Sequence, residues 1–436
     1  MGSPALVERV ASTVADALAT ERVRRRRSGQ LGLATDDERQ LARAVAVREL
    51  ESHAAETIAL GKAPLESADE RDVIDSVLAA VLGLGRIQPM LDDADITDIH
   101  VRGTASAWVK LRDGSRREME PVVRSDDELV QLVRLVATRL GRSERRFDTA
   151  HPELNLQLPD GSRLFAAMEV SSHPTVVVRK HRFELSSLEE LVRREMVDPP
   201  LASLLAAAVK ARRNLIVAGG TGTGKTTLLR GLMNEVPRGE RIVTIEDSYE
   251  LGIERFADLH PDHDALQARP PNTEGRGEVP IAELARMALR MDPDRVIVGE
   301  VRGAEAFSML MAMSQGNDGS MCTMHADSTA SVFPKLAAYV AMAGTGLPVE
   351  TVNLLVANAV HFVVHLEQVD GLRRVTSVRE VVDSDGARIV SNEVVRPHPG
   401  GGAMPGYPLR QGTVALLERH GFDADAFADA RRWGRR

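Results

Sequence analysis

The feature that most constrains this chain is a glycine-rich segment between an apolar run and a run compatible with a helix. The segment is Gly219-Gly220-Thr221-Gly222-Thr223-Gly224-Lys225-Thr226; it follows Leu215-Ile216-Val217-Ala218 and precedes Thr227 to Met233. A strand, the pattern G-x-x-x-x-G-K-[ST] and a helix, in this order, predict a phosphate-binding loop. We refer to this segment as the P-loop.

Each residue type in the P-loop has a chemical reason. Glycines let the backbone curl so that its N–H groups point at phosphate oxygens, and the start of the following helix adds a partial positive charge. The amine of Lys225 can reach the β- and γ-phosphates, and the Thr226 hydroxyl can join the shell of a Mg²⁺ ion. The residues expected to bind the nucleotide here are Gly219, Gly220, Thr221, Gly222, Thr223, Gly224, Lys225, Thr226 and Thr227.

The composition of the 436-residue chain narrows the class of protein. Its length allows two or three domains, and 43% hydrophobic with 27% charged residues is typical of a globular protein. A net charge of −8 and only 3% aromatic residues disfavour a nucleic-acid motor, since such motors need basic surfaces and stacking platforms. The exception is Arg22 to Arg27, where five of six residues are arginine; it reads as a solvated face or as a contact with acidic lipids or an acidic partner.

The sequence favours a cytoplasmic protein that reaches the inner face of the cell membrane only through partners. A single cysteine, Cys322, cannot form an internal disulfide. The N-terminus lacks the apolar core of a signal peptide, and the longest apolar segment, Leu201 to Val209, is too short to span a bilayer.

The pattern of the chain changes several times and predicts an α/β protein. Residues 1–70 look helical, with segments such as Val10 to Ala19 and Glu38 to Ala55, and residues 71–185 look like a smaller α+β domain. In the next long region apolar runs alternate with helical patterns, which predicts a mostly parallel sheet covered by helices. The expected divisions are 1–70 helical extension, 71–185 α+β domain, 186–200 linker, 201–395 P-loop domain, and 396–436 a Gly/Pro-rich tail that reads as a linker with a short helix at Thr413 to His420.

Acidic residues follow two of the predicted parallel strands. Glu246 and Asp247 come after Arg241 to Ile245, where two adjacent carboxylates suggest Mg²⁺ binding or polarisation of the attacking water. Asp247 is equally suited to cap a helix. Glu300 ends the run Val296-Ile297-Val298, the Walker B arrangement, and is the best candidate to orient water.

Basic residues complete the candidate site. Arg302 could clamp a phosphate or pair with Glu300, and His325, after the short strand Met321 to Met324, could sense a γ-phosphate or hold a carboxylate. Ligands in such sheets bind beyond the carboxyl ends of the strands, where these residues are expected. Arg163 and Arg179, which precede the P-loop domain, read either as ordinary surface arginines or as charges that close over the phosphates from a mobile domain.

These segments, in this order, resemble the type II/type IV secretion ATPase superfamily, and most closely the CpaF-like ATPases of Flp (tight-adherence) pili. The resemblance covers about Asp72 to Val382. Beyond the P-loop, the matching motifs are Thr244 to Leu251 (the aspartate box), Arg269 to Gly275, Pro293 to Arg302 (the atypical Walker B), Gly316 to Ala326 (the histidine box) and Leu158 to Arg163 in the N-terminal domain.

The resemblance implies a RecA-like P-loop NTPase domain joined to a PAS-like N-terminal domain in a homohexameric ring. It implies ATP and Mg²⁺ as cofactors, with catalysis by Glu300, Lys225, Glu246 and His325, and Mg²⁺ held by Thr226, Glu246 and Asp247. Hydrolysis would drive an inner-membrane platform protein that assembles a pilus or exports protein. Two other readings stay open: a nucleic-acid-stimulated translocation ATPase, and a nucleotide-sensing scaffold without catalysis.

The sequence departs from the family pattern before Arg269. Asn155 stands where the family usually has an aspartate, and Ala265 and Gln267 replace a basic and an acidic residue. Pro261 to Asp264 is expected to interrupt the strand that leads to Arg269. These changes put the Mg²⁺-side contacts of this segment, and the turnover rate, in question.

Overall fold

The computed structural model describes residues 4–28, 35–140, 146–158, 160–180, 186–272 and 274–434. The chain divides into two compact units, Met1–Arg182 and Phe183–Arg436. Each unit contains its own buried apolar clusters. Together they form a mixed α/β protein, as the sequence predicts.

Three helices begin the first unit and pack on one another. Alanine-rich segments with apolar residues every three or four positions form helices whose apolar stripes meet. The third helix crosses the division expected at residue 70, and its Val73, Val77 and Val81 are buried among the first two helices rather than in the neighbouring sheet. The helices are α1 (Pro4–Arg27), α2 (Thr35–Ala59) and α3 (Ser67–Leu82).

Among the described residues, no single helix is both long and apolar enough to cross a membrane. Taken together, α3 and the helical segment Gly85–Asp92 are long and apolar enough by length and composition alone, but the two are bent by 117° relative to each other.

The rest of the first unit is an antiparallel sheet with one long helix, which confirms the predicted α+β pattern. Within the described residues the sheet has the order β3-β2-β1-β6-β5-β4. Strands β4 and β5 pair as antiparallel neighbours, with Leu156 opposite Leu164. The elements are α4 (Gln88–Asp92), β1 (Ile96–Arg102), β2 (Ser106–Leu111), β3 (Arg116–Pro121), α5 (Asp126–Leu140), β4 (Glu153–Gln157), β5 (Arg163–Ala167) and β6 (Thr175–Arg179).

The second unit is built on a large sheet whose described strands have the order β15-β14-β13-β12-β7-β11-β10-β8-β9. Strands β12, β7, β11, β10, β8 and β9 run parallel, as the alternating pattern predicts. The helices are α6 (Leu188–Arg193), α7 (Pro199–Lys210), α8 (Lys225–Met233), α9 (Ile281–Ala288), α10 (Glu305–Ser314), α11 (Val332–Met342), α12 (Val349–Ala359), α13 (Gln411–Glu418) and α14 (Ala424–Ala428). The strands are β7 (Leu215–Gly219), β8 (Ile242–Glu246), β9 (His263–Gln267), β10 (Arg295–Val301), β11 (Met321–Met324), β12 (Phe362–Val369), β13 (Leu372–Ser384), β14 (Ile389–Pro397) and β15 (Ala403–Pro405).

The parallel strands are buried on both faces, because helices cover the sheet on each side. Every residue of β7, β8 and β11 is buried, which matches their nearly continuous apolar sequences. The register pairs Ala218 with Met324 and Ile245 with Val298. The carboxyl ends of these strands therefore meet at one edge of the sheet.

The interruption expected before Arg269 does not occur. Pro261 lies outside the strand, and β9 begins two residues later and pairs with β8 along its whole length, including Ala265 and Gln267. Proline lacks a backbone N–H donor, but in a position just before an edge strand this loss removes no ladder hydrogen bond.

The prediction that the Gly/Pro-rich tail is a linker is also wrong. Residues 397–406 form a tight turn and strand β15, with Gly401 and Gly402 at left-handed φ values of 84° and 81°. The chain then continues into α13, which confirms the predicted short helix, and it ends with Phe422, Phe427 and Trp433 buried in the main core. The segment predicted as a linker helix at 186–200 contains α6, whose Leu188 and Leu191 lie in the same core.

This C-terminal cluster should contribute to stability. The Trp433 ring stacks edge-on against Phe427 at 5.2 Å between centroids, and its Nε1 donates to the Phe427 carbonyl at 2.8 Å. We expect Trp433→Ala to lower the free energy of unfolding by about 3 kcal/mol, since a large aromatic cavity and an unpaired carbonyl result. Far-UV circular dichroism during urea unfolding measures this. Tyr407→Ala, at a side chain 70% exposed, is the matched control; equal midpoints for the two variants would contradict the expectation.

Candidate active site

The P-loop follows β7 directly and leads into α8, as predicted. A Cβ atom on Gly219 would lie 2.6 Å from the Leu366 carbonyl oxygen and 2.8 Å from Thr223 Oγ1, so no larger residue fits. Gly224 precedes the first turn of α8 with a φ of 97°, a value that favours glycine. The first N–H groups of α8 have no partner within the helix, and they open toward the loop as anion donors.

Lys225 lies inside the curve of its own loop. It is buried, and its Nζ donates to the carbonyl oxygens of Gly219 at 3.2 Å and Gly220 at 2.8 Å. Burial lowers the pKa of this amine, while the Glu300 and Glu250 carboxylates act in the opposite direction. The amine is therefore held where a phosphate oxygen could replace the carbonyl acceptors.

The structure brings three of the predicted strand ends together around Lys225. Glu300 lies at the end of β10, and its Oε1 is 2.9 Å from His325 Nε2. Both ring nitrogens of His325 lie 3.4 Å from Lys225 Nζ. Burial and the nearby Lys225 cation lower the pKa of His325, which favours the neutral imidazole beside the Glu300 carboxylate.

Arg302 links two of the predicted acidic residues. Its Nε lies 3.2 Å from Glu300 Oε2, and its terminal nitrogen lies 3.3 Å from Asp247 Oδ2. Strand β10 has a register shift between Val298 and Val301, which turns the chain so that Glu300 faces the P-loop side. The Thr323 hydroxyl donates to the Gly299 carbonyl at 2.5 Å and holds this irregularity in place.

Glu246 has a different environment from its neighbour Asp247. It is only 3% exposed, and its Oε1 accepts the backbone N–H groups of Glu250 and Leu251, both at 2.8 Å. A Cβ atom on Gly299 would lie 3.0 Å from Glu246 Cγ, so the glycine makes room for this side chain. The carboxylate holds the turn that follows β8; its direct part in Mg²⁺ binding or catalysis stays a prediction.

Burial of Glu246 leads to a pH-dependent stability. Desolvation raises its pKa from 4.5 to about 7, against the effect of the two backbone hydrogen bonds. The folded state then binds this proton more tightly than the unfolded chain, so the free energy of unfolding falls as pH rises from about 4.5 to about 7 and is level above that. Glu246→Gln keeps the acceptor and removes the titration.

We therefore expect the stability of Glu246→Gln relative to wild type to rise by about 3 kcal/mol between pH 4.5 and pH 8. Urea unfolding at several pH values measures the difference. Glu254→Gln, at an exposed residue just beyond the turn, is the control. Parallel profiles for wild type and Glu246→Gln would show that Glu246 is charged throughout this range.

Glu250 is a further acidic residue beside the P-loop, and it is not among the residues predicted for the site. Its Oε2 accepts a hydrogen bond from Thr226 Oγ1 at 3.5 Å, and its backbone carbonyl accepts one from the Arg230 guanidinium. It therefore lies beside the hydroxyl expected to face Mg²⁺. Its position within the acidic segment that also contains Glu246 is the signal that could have identified it.

Arg163 and Arg179 belong to the first unit. They lie opposite each other on the neighbouring antiparallel strands β5 and β6, so their side chains share one face of that sheet. Their contact with a nucleotide stays a prediction.

The chain is similar to a known family of proteins. Residues 82–391 match the model of the family described as "Type II/IV secretion system protein". The putative conjugal transfer protein Rv3659c of Mycobacterium tuberculosis is 36% identical over 314 residues, which is 70% of this chain and 86% of that protein. The type IV secretion system protein VirB11 of Brucella suis is 31% identical over 308 residues, which is 64% of this chain and 83% of that protein.

Among solved structures, the VirB11 ATPase from the Brucella suis type IV secretion system, in complex with sulphate, is similar to this chain at 29% identity. The match covers 68% of this chain and 92% of that one, with a TM-score of 0.36. The family match extends over well more than half of the sequence and includes the P-loop and every strand end described above. This chain therefore belongs to the type II/IV secretion system protein family.

Proposed function

We propose that this protein is an ATPase motor that hydrolyses ATP to power protein secretion or pilus assembly. The observation that supports this most directly is the convergence of Lys225, His325 and Glu300 at one edge of the parallel sheet, with 2.9 Å between His325 Nε2 and Glu300 Oε1. A phosphate loop alone binds a nucleotide. A carboxylate beside that loop, with an imidazole nitrogen 2.9 Å away, can also orient a water molecule for the cleavage.

The residues present fit a Mg²⁺ ion that is bound together with the nucleotide. Within the ranges that the structure describes, no group of three or more His, Cys, Asp or Glu residues could hold a metal. Mg²⁺ commonly takes one or two protein oxygens and completes its shell with phosphates and water, and the Thr226 hydroxyl and the exposed Asp247 carboxylate offer such oxygens. When bound, the ion would neutralise charge on the phosphates.

The protein residues then have separate tasks in hydrolysis. The P-loop N–H groups and Lys225 bind the phosphates, and Lys225 exchanges its carbonyl acceptors for phosphate oxygens. Glu300 orients the attacking water and accepts its proton, and His325 keeps the Glu300 carboxylate in position. Arg302 is placed to stabilise charge that develops on the transferred phosphoryl group. Glu246 positions the turn that carries Glu250.

The proposed larger assembly draws on the family to which the chain belongs. We infer a homohexamer in which a RecA-like domain carries the P-loop and the first unit supplies a PAS-like domain with Arg163 and Arg179 as phosphate-facing charges. An inner-membrane platform protein of a Flp-type pilus or related secretion system is the proposed partner, with the protein at the cytoplasmic face of the membrane. Relatives named for conjugal transfer and type IV secretion support this class of partner.

Phosphate release from ATP by the full chain tests the proposal. We expect hydrolysis that requires Mg²⁺ and is lost in excess EDTA. Size-exclusion chromatography with light scattering should show that the active species has the mass of a hexamer. Vesicles that contain a platform protein should stimulate it, and DNA should not. ATP binding without phosphate release under every condition would indicate a sensing scaffold, and stimulation by DNA alone would indicate a nucleic-acid motor.

A further inference from the structure

The hairpin formed by β12 and β13 reaches past the edge of the sheet beside the P-loop. Strand β12 runs parallel to β7, and the last pair in the ladder joins Leu366 to Gly219, where the P-loop begins. Beyond this pair β12 continues for three residues, turns at Asp370 and Gly371 with left-handed φ values of 51° and 81°, and returns as β13. The hairpin therefore overhangs the P-loop by roughly 10 Å.

Arg373 is the hairpin residue that contacts the P-loop. Its Cδ lies 3.3 Å, and its Cβ 3.9 Å, from the position that a Cβ atom would take on Gly224. The Met196 side chain also occupies this site, with its Cε 2.5 Å from the same position, and the Met196 carbonyl accepts the Val375 N–H at 2.8 Å. The stem of Arg373 thus lies against the last glycine of the P-loop.

The neighbouring arginine shows a contrasting arrangement. Arg374 is mostly buried and ion-paired, with its terminal nitrogen 2.5 Å from Glu195 Oε2. Arg373 points to the opposite face of the hairpin, where it pairs across the strands with Gln368 and is exposed. Throughout the described part of the chain, no carboxylate lies within ion-pair distance of its guanidinium. Among the described residues, a positive charge without a carboxylate partner therefore stands on the hairpin that packs against the P-loop.

We propose that Arg373 is an additional nucleotide-binding residue whose guanidinium pairs with the phosphate chain of the bound nucleotide. The inference rests on the proposed ATP site. A strand-borne arginine with a packed stem loses little side-chain freedom on binding, and a guanidinium–phosphate pair gains strength from charge-assisted hydrogen bonds. Arg373 would add positive charge from the hairpin that packs against Gly224, whereas Lys225 lies against the carbonyls of Gly219 and Gly220.

The test is the affinity of the full-length protein for a fluorescent ADP and its displacement by inorganic tripolyphosphate, which has no base or sugar. We expect Arg373→Ala to weaken both about ten-fold, Arg373→Lys to weaken them less, and the loss to shrink at high salt. Arg388→Ala is the matched control, because Arg388 is an exposed arginine beyond the far end of β13. Circular dichroism checks the fold of each variant.

The outcomes separate this inference from the proposed function. If wild type and Arg388→Ala bind neither ligand, the ATP site itself is wrong. If both bind and Arg373→Ala binds equally well, only the role of Arg373 is refuted. If Arg373→Ala weakens ADP but leaves tripolyphosphate unchanged, the residue contacts the base or sugar, and the phosphate assignment is overturned.

Discussion

Replacing Lys225 with alanine is expected to abolish ATP hydrolysis and to weaken nucleotide binding at least about 100-fold, or roughly 3 kcal/mol. The Lys225 Nζ is the positive charge enclosed by the P-loop, where it now donates to two backbone carbonyl oxygens of that loop. Because this site is partly shielded from water, an amine–phosphate contact is stronger here than on an open surface. Alanine leaves those carbonyls facing the phosphates without a cation between them.

Titration with a fluorescent ATP analogue and measurement of phosphate release check this prediction. Lys210→Ala is the matched control: Lys210 lies in the same unit, in a partly exposed ion pair 3.1 Å from Glu235, and its loss should leave both readouts unchanged. Thermal unfolding without nucleotide should be similar for both variants, whereas stabilisation by added ATP should disappear only for Lys225→Ala. Retained nucleotide binding by Lys225→Ala would show that the P-loop is not the site.

Glu300→Gln is expected to separate binding from chemistry. The amide has the size of the carboxylate and can still meet His325, so ATP affinity should change by less than about three-fold. It cannot accept the proton of the attacking water, so turnover should fall by roughly 10²- to 10³-fold. The 2.9 Å separation of Glu300 Oε1 and His325 Nε2 is the geometric basis for this expectation.

Single-turnover hydrolysis with enzyme in excess measures the chemical step directly. Glu350→Gln is a suitable control, since Glu350 is an exposed glutamate in the first turn of α12. Hydrolysis at the wild-type rate by Glu300→Gln would remove Glu300 from the catalytic assignment. A parallel loss of ATP affinity would instead place Glu300 in nucleotide binding.

The sequence predicted the parallel strands and the P-loop well, because both depend on local patterns. A continuous apolar run such as Leu215 to Ala218 has few alternatives to a buried strand, and the spacing of the P-loop glycines follows from the backbone conformation that phosphate binding needs. The tail after residue 396 was misread. Glycine and proline occur in linkers and in tight turns alike, and only burial of Phe427 and Trp433 against the core distinguishes the two.

The candidate site shows the same limit. The positions of its residues directly after strands identify them in the sequence. Those positions do not reveal that Glu246 and Asp247 have different environments. Adjacent residues at a strand end point in opposite directions, so one carboxylate is buried under Gly299 and the other is exposed beside Arg302. Glu250 and Arg373 reach the P-loop through a turn and a hairpin whose paths no local pattern specifies.

The sequence alone determined that this chain contains a phosphate loop between a strand and a helix, and that acidic and basic residues follow the neighbouring strands. Those features are encoded within a few consecutive residues. The tertiary structure decided which of these side chains meet, because strand order, register and burial arise from contacts between segments far apart in the chain. His325 is 100 residues from Lys225 and lies 3.4 Å from it only because β11 is the neighbour of β7 in the sheet.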